Sequence, residues 1–362
     1  MKPPFRADQV GRLLRPAALR DARLRFRRGD IGVAALKAVE DQAIREAVDH
    51  QQRLGLQSIT DGEYRRDWWH LDYMGGFDGV TMVVNEGPKF KASEEQPPIP
   101  SVTGKVRHVK PHMVDHFTFL KSVVTRGTPK MTIPSPSMLH LRGGRKSIST
   151  QAYPDLDEFW ADVAAAYRES IREFAAAGCT YLQLDDVSFA YLCDDKVRET
   201  CRANGDDPDK LPQTYARVIN EAVRDRPAGM TITMHTCRGN FKSTFVASGG
   251  YDPVAEAMFS TDIDGFFMEF DSDRSGTFEP LRHVPRGRKV VLGLVTTKQG
   301  ELEDKETLKR RIDAASRYVP LEDLCLSPQC GFSSTHHGNA LSDDEQWHKL
   351  ERIVEVAGEV WG

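Results

Sequence analysis

The segment TITMHTCRGN, residues 231–240, sets an imidazole and a thiol two residues apart at the end of an apolar, β-branched run. In a strand, residues i and i+2 share a face, so His235 and Cys237 leave one strand end side by side. Both are donors of the kind zinc prefers. Two more apolar runs end in ligand types: DGFFMEF brings Glu269, and LCLSPQCGF brings Cys330. Two thiols, an imidazole, a carboxylate and one exchangeable position suit a catalytic Zn²⁺ better than a structural one. Each residue alone is a weak signal, because a lone buried cysteine is usually inert and a lone histidine usually serves packing. The reading rests on the H-x-C pair and on the shared strand-end placement. A second series, His108, His112 and His116, is spaced by four. Pro111 breaks the helix that would align it and no cysteine lies near, so it is not expected to hold metal.

Gathering those four side chains requires several strand ends on one face. Eight short apolar segments alternate with helical patterns, near residues 8–14, 56–60, 130–134, 180–186, 230–235, 264–270, 289–295 and 324–329. Helical spacing is clearest over 33–54 and 156–177, with Asp155 placed to cap the second and Gly178 to end it. Ser342 and Glu345 form a capping box before the last helix. Residues 71–115 interrupt the rhythm. DGVTMVV and SVTGKVRHV read as antiparallel strands on either side of a turn-rich stretch. The expected fold is α/β, a (β/α)8 TIM barrel with a β-hairpin insertion after the second strand. One catalytic domain would span residues 1–362, with the insertion over about 71–115 as a flap. No G-x-G-x-x-G follows the first segment, which argues against a doubly wound nucleotide-binding sheet.

Bulk composition narrows the class. The 362 residues are 40% hydrophobic and 28% charged, with a net charge of −4. Those values are ordinary for a globular domain and predict neither a nucleic-acid nor a membrane partner. No apolar run approaches the ~18 residues of a membrane span, and the N-terminus lacks the apolar core of a signal peptide. Six cysteines are too sparse for a disulfide scaffold and fit reduced thiols in a cytoplasm. The arginine-rich stretch 12–28 is interspersed with acids and reads as a solvated helix face rather than a presequence. Asp194 and Asp195 read as solvated loop charges.

The motifs resemble one known family. MHTCRGN, FFMEF and SPQCGF look like the zinc-binding pattern of the cobalamin-independent methionine synthases. DGEYRRD resembles that family's loop whose glutamate holds the amino acid, and LQLDD its strand-end aspartate motif. VGRLLRP and GLVTTK resemble its first- and seventh-strand segments, so the resemblance covers essentially the whole chain. It implies zinc on His235, Cys237, Glu269 and Cys330, with Glu269 the ligand expected to loosen when a substrate thiol enters. It also implies Glu63 and Asp185 as partners of the substrate ammonium, and methyl transfer to homocysteine to give methionine. The implied partners are a small-molecule thiol and a methyl donor, either methylfolate, a corrinoid protein or a small methyl compound. Composition leaves a homo-oligomer open.

Three departures from the family pattern matter. Where the family usually has a serine after the first-strand glycine, this chain has Arg12, which could hold a substrate carboxylate or suit a different acidic thiol. The family's D-E-P is here Asp185, Asp186 and Val187. The long enzymes carry a histidine after the seventh strand, where this chain has TTKQG with Lys298. That leaves His336 or His337 as an acid for the leaving group, or a donor other than methylfolate. A thiol alkyltransferase of the epoxyalkane–coenzyme M type, which shares the zinc pattern, is the alternative that Arg12 keeps open.

Overall fold

The structure is a computed structural model and describes residues 2–83, 98–240, 242–333 and 338–362. Nine strands are present among them: β1 (Ser58–Ile59), β2 (Asp78–Val83), β3 (Ile99–Arg107), β4 (Thr128–Pro134), β5 (Tyr181–Asp186), β6 (Thr231–Thr236), β7 (Gly265–Glu269), β8 (Lys289–Val295) and β9 (Leu324–Pro328). Seven form one parallel sheet in the order β1-β4-β5-β6-β7-β8-β9. Helices connect them and cover one face. Strands β5 and β7 are buried at every residue, as strands covered on both faces are, so the polar Gln183, Asp185, Asp186 and Glu269 within them lie inside the protein.

Local signals behave as their chemistry dictates. Leu156–Ala176 is the long amphipathic helix. The Asp155 carboxylate accepts from Asp157 N at its start, and Gly178 takes φ +93° just beyond its end. Its stripe of Phe159, Trp160, Val163, Tyr167, Ile171 and Phe174 is buried. The capping box of Ser342 and Glu345 opens the helix Asp343–Trp361.

The first expected strand does not form. Residues 7–14 carry isolated bridges only, Ala7 to Leu326 of β9 and Arg12 to Gly62 just past β1. Gly11 sits at φ +122°, which breaks an extended ladder. The segment nevertheless lies between the two edges of the sheet. Asp8 N donates to Leu326 O at 3.0 Å and Leu13 N to Gly62 O at 3.2 Å. Its Val10 packs with Phe267, Val291 and Cys325 in a small apolar cluster apart from the main core. Beside this cluster, Asp8 accepts from Lys130 Nζ at 3.2 Å and Tyr181 Oη at 2.8 Å. The sheet is therefore a curled parallel one of seven strands, with the N-terminal segment tying its ends, rather than a ladder of eight.

Strands β2 and β3 pair antiparallel, Val80 opposite Val102. The stretch that joins them falls outside the described residues. Strand β3 packs its Val102 and Val106 into the core and bridges Ile148.

Two expectations about charge need correcting. The arginine-rich stretch is a helix, Ala17–Arg27, but its face is not all solvated. Arg23 is buried between Glu40 and Asp67, each at 2.8 Å, and Arg12 and Arg15 are buried ahead of it. Asp194 is the N-cap of a helix, Asp195–Ala203, and accepts from Lys196 N and Val197 N.

Candidate metal centre

All four ligand candidates meet at the C-terminal end of the sheet. His235 lies in β6 with Cys237 just after it, Glu269 ends β7, and Cys330 follows β9. One donor atom from each lies within 4.8 Å of the others, and all four residues are buried. In register, His235 stands opposite Asp185 of β5 and Phe267 of β7, which sets the level of the site in the sheet.

The set fits a zinc ion on the structure's own terms. Cys237 Sγ and Cys330 Sγ are 3.4 Å apart. That is far beyond the ~2.05 Å of a disulfide and near the edge of a tetrahedron with bonds of ~2.3 Å. Both His235 ring nitrogens are buried and lack a hydrogen-bond partner. Burying an imidazole so is costly unless something takes its lone pair. The hydrogen bond shared with Cys237, and then the adjacent His235, pull the Cys330 thiol well below its ordinary range against the effect of burial. Burial and then Cys330 push the Glu269 carboxyl up. A buried set that gathers negative charge against itself is what a cation resolves.

Neighbouring residues orient these ligands. Arg274 Nη2 approaches Glu269 Oε2 at 3.2 Å and Asp271 Oδ1 at 2.7 Å. Tyr251 Oη receives Glu269 N at 3.2 Å and lies 3.3 Å from Thr236 Oγ1, joining β6 to β7. The buried Arg238 guanidinium sits over the Tyr251 ring at 4.4 Å. Lys298 reaches Asn240 Oδ1 at 3.4 Å, and Asn240 donates to Gly331 O at 2.7 Å. Gly331 is required there, since a Cβ would meet Arg12 Cβ at 2.4 Å.

A second cluster stands next to the ligands. Glu63 Oε1 accepts from Thr132 Oγ1 at 2.6 Å and pairs with Arg12 Nε at 3.3 Å and Arg66 Nη1 at 3.4 Å. Asp185 Oδ1 accepts from Gln183 Nε2 at 2.7 Å, and its Oδ2 lies 2.6 Å from Arg12 Nη2. That last contact is a close approach of charges rather than an aligned hydrogen bond. Burial pushes Glu63 up against the pull of Arg66 and Arg12. Glu63 also holds φ +58°, a conformation few side-chain-bearing residues adopt and one often kept at functional sites.

All seven singled-out residues thus fall in two adjoining clusters, His235, Cys237, Glu269 and Cys330 in one and Arg12, Glu63 and Asp185 in the other. Gln183 was detectable from the strand, two residues before Asp185 on the same face. Thr132, Tyr251 and Arg274 come from elsewhere in the chain and carry no local signal. His336 and His337 lie outside the described residues. Of the series, His108 and His112 are built into an aromatic wall instead: His108 Nε2 meets Glu173 Oε2 at 2.6 Å, and His112 lies against Tyr73 and Phe77 at 4.6 and 5.0 Å.

Fold and site together describe an α/β protein with a candidate metal centre at the C-terminal end of a parallel sheet. Comparison with known proteins then gives the family. The family described as "Cobalamin-independent synthase, Catalytic domain" matches residues 9–359. The chain belongs to the cobalamin-independent methionine synthases, a family of methyltransferases. It is 47% identical to the uncharacterized protein YxjH of Bacillus subtilis, over 99% of this chain and 96% of that one. It is 23% identical to a methionine synthase of Saccharolobus solfataricus, over 96% of this chain and 92% of that one. A crystal structure from Listeria monocytogenes, described as a candidate vitamin-B12-independent methionine synthase, superposes with a TM-score of 0.82. It shares 41% identity and covers 100% of this chain and 99% of that one. Among the described residues, no helix is long and apolar enough to cross a membrane, and none of the six cysteines is in a disulfide.

Proposed function

We propose that this protein is a zinc-dependent S-methyltransferase that moves a methyl group to the thiol of homocysteine, giving methionine. The observation that carries the reading is the convergence of His235, Cys237, Glu269 and Cys330 around two unmet imidazole nitrogens. Zinc held there would let a bound thiol lose its proton near neutral pH while it stays a nucleophile. His235, Cys237, Glu269 and Cys330 would hold the ion, with Glu269 the ligand that would yield to an incoming sulfur. Arg274 stands 3.2 Å from the Glu269 carboxylate, ready to take its charge when it swings away. Tyr251 and Arg238 keep β6 and β7 in register meanwhile. Holding thiol and methyl group in line is the chain's main contribution to rate. Asp185 and Glu63 would take the substrate ammonium, and Arg12 its carboxylate. The partners are a small-molecule thiol and a methyl donor, methylfolate or a methylated corrinoid protein, in a cytoplasm. The whole chain acts as one catalytic domain, its curled seven-stranded sheet tied at both edges by residues 8–14, with 71–115 as the inserted hairpin.

One observation favours a second reading. Arg12 already fills the space between Asp185 and Glu63, so an ammonium must compete with a guanidinium there. A thiol with an acidic end and no ammonium, as in an epoxyalkane–coenzyme M transferase, avoids that competition. Assaying zinc-loaded protein with homocysteine and coenzyme M, each against methyl and epoxide donors, separates the two. If neither thiol alters the zinc ligation spectroscopically, both readings fail.

A further inference from the structure

One polar side chain inside the curled sheet touches both Asp185 and the segment that carries Arg12. Gln183 lies in β5, two residues before Asp185 and on the same face. It is wholly buried. Its Nε2 donates to Asp185 Oδ1 at 2.7 Å and to Val10 O at 2.9 Å. A carboxylate and a backbone carbonyl both accept, so the amide fits only this way round. Its Oε1 has no hydrogen-bond partner among the described residues. The orientation of the amide is therefore set by the two groups it donates to, not by the needs of its own oxygen.

Val10 belongs to the N-terminal segment, which ties the edges of the sheet without forming a ladder. Side chains from the sheet interior meet carbonyls that a neighbouring strand would otherwise take: Lys130 Nζ donates to Gln9 O at 2.5 Å, and Gln183 to Val10 O. Two residues on, the same segment delivers Arg12, whose own carbonyl accepts from Phe332 N at 2.9 Å. Gln183 thus forms a bracket from the Arg12 segment to the Asp185 carboxylate. That bracket limits what the ion pair can become. Left to themselves, a guanidinium and a carboxylate align as a fork with two parallel N–H···O bonds. Here Oδ1 of Asp185 is turned to Gln183, and Oδ2 lies 2.6 Å from Arg12 Nη2 without accepting an aligned hydrogen bond.

We propose that Gln183 is a positioning residue that keeps Asp185 available to a substrate ammonium, by holding Oδ1 off Arg12 so that the pair does not close into a two-bond fork. A single close contact yields to an incoming ammonium more readily than a fork does. The proposal rests on the reading that an amino-acid thiol binds here, and it gives a physical reason why a guanidinium already at Asp185 need not exclude that ammonium. No bond is made or broken at Gln183.

The test is calorimetric titration of zinc-loaded, full-length protein and its Gln183→Met variant, alone and combined with Asp185→Asn. The probes are 3-aminopropane-1-thiol and 3-mercaptopropan-1-ol, which differ only in ammonium against hydroxyl. In Gln183→Met the ammonium thiol should weaken by about tenfold, the order of one hydrogen bond to a charged group, and the hydroxyl thiol by under about twofold. On top of Asp185→Asn, Gln183→Met should add under about twofold for either probe, because it acts through Asp185. A merely structural role predicts equal weakening of both probes, and the same tenfold loss on top of Asp185→Asn. Either result overturns the proposal, as does no loss at all. Should Gln183→Met not fold, Gln183→Asn, a methylene too short to span both acceptors, is read in the same way. If neither thiol binds the wild-type zinc, the thiol reading fails, and a crystal structure of the variant decides the bracket by itself. Both Asp185 oxygens turned onto Arg12 uphold it; an unmoved carboxylate sinks it.

Discussion

Arg12 Nη2 lies 2.6 Å from Asp185 Oδ2, and both side chains are almost wholly buried. The carboxylate that the family resemblance reserves for a substrate ammonium is thus already neutralised from within the chain. Burial would lower the Arg12 pKa, but Asp185 and Glu63 outweigh it and raise it, so the guanidinium stays charged. Removing either partner of a buried ion pair strands the other, at about 3–5 kcal/mol.

If homocysteine is the acceptor, its carboxylate draws Arg12 away and its ammonium takes Asp185. Asp185→Asn then weakens homocysteine by about tenfold to a hundredfold, the range of a hydrogen bond to a charged group. Its deaminated analogue, 4-mercaptobutyrate, stays within about twofold. Calorimetry on zinc-loaded protein reads both, and equal weakening of the two would remove Asp185 from ammonium recognition.

Zinc content checks the metal centre directly. Cys237→Ser and Cys330→Ser each replace a thiolate with a poor zinc ligand. Each variant should purify with under about a fifth of the zinc of the wild type, and with no thiol-dependent activity. A variant that keeps stoichiometric metal would strike that cysteine from the set.

His112 gives a pH-dependent contribution to stability. Burial, then the neighbouring His108, lowers its pKa to about 4, against ~6.5 in an unfolded chain. Between those values the unfolded chain binds a proton that the folded one refuses, so stability falls as pH drops from about 6.5 to about 4. One such proton is worth at most about 1.4 kcal/mol per pH unit, and less at this half-buried ring. His112→Gln should flatten the fall in Tm across that window. An unchanged slope would mean His112 takes no part in it.

Much of the fold follows from the order of residues alone. The helix Leu156–Ala176 is written in its apolar spacing and its caps, and β5 through β9 in short apolar runs. These signals are local, so they survive in the linear text. The N-terminal segment misled because its residues are strand-like in type, while Gly11 at φ +122° denies them a ladder. The types and strand-end positions of His235, Cys237, Glu269 and Cys330 were likewise legible, because i and i+2 alternation and segment endings are sequence properties.

The tertiary structure alone decided what each group faces. No spacing shows that Arg12 closes on Asp185, 173 positions away, or that Arg274 backs Glu269. Nor does it show that three arginines of a charged stretch are buried, since a cation goes inside only where distant acids or carbonyls meet it. Residue type and rhythm named the donors and their strand ends. Packing set their partners, their burial and so their charge, because electrostatic energy depends on distances that only the folded chain creates.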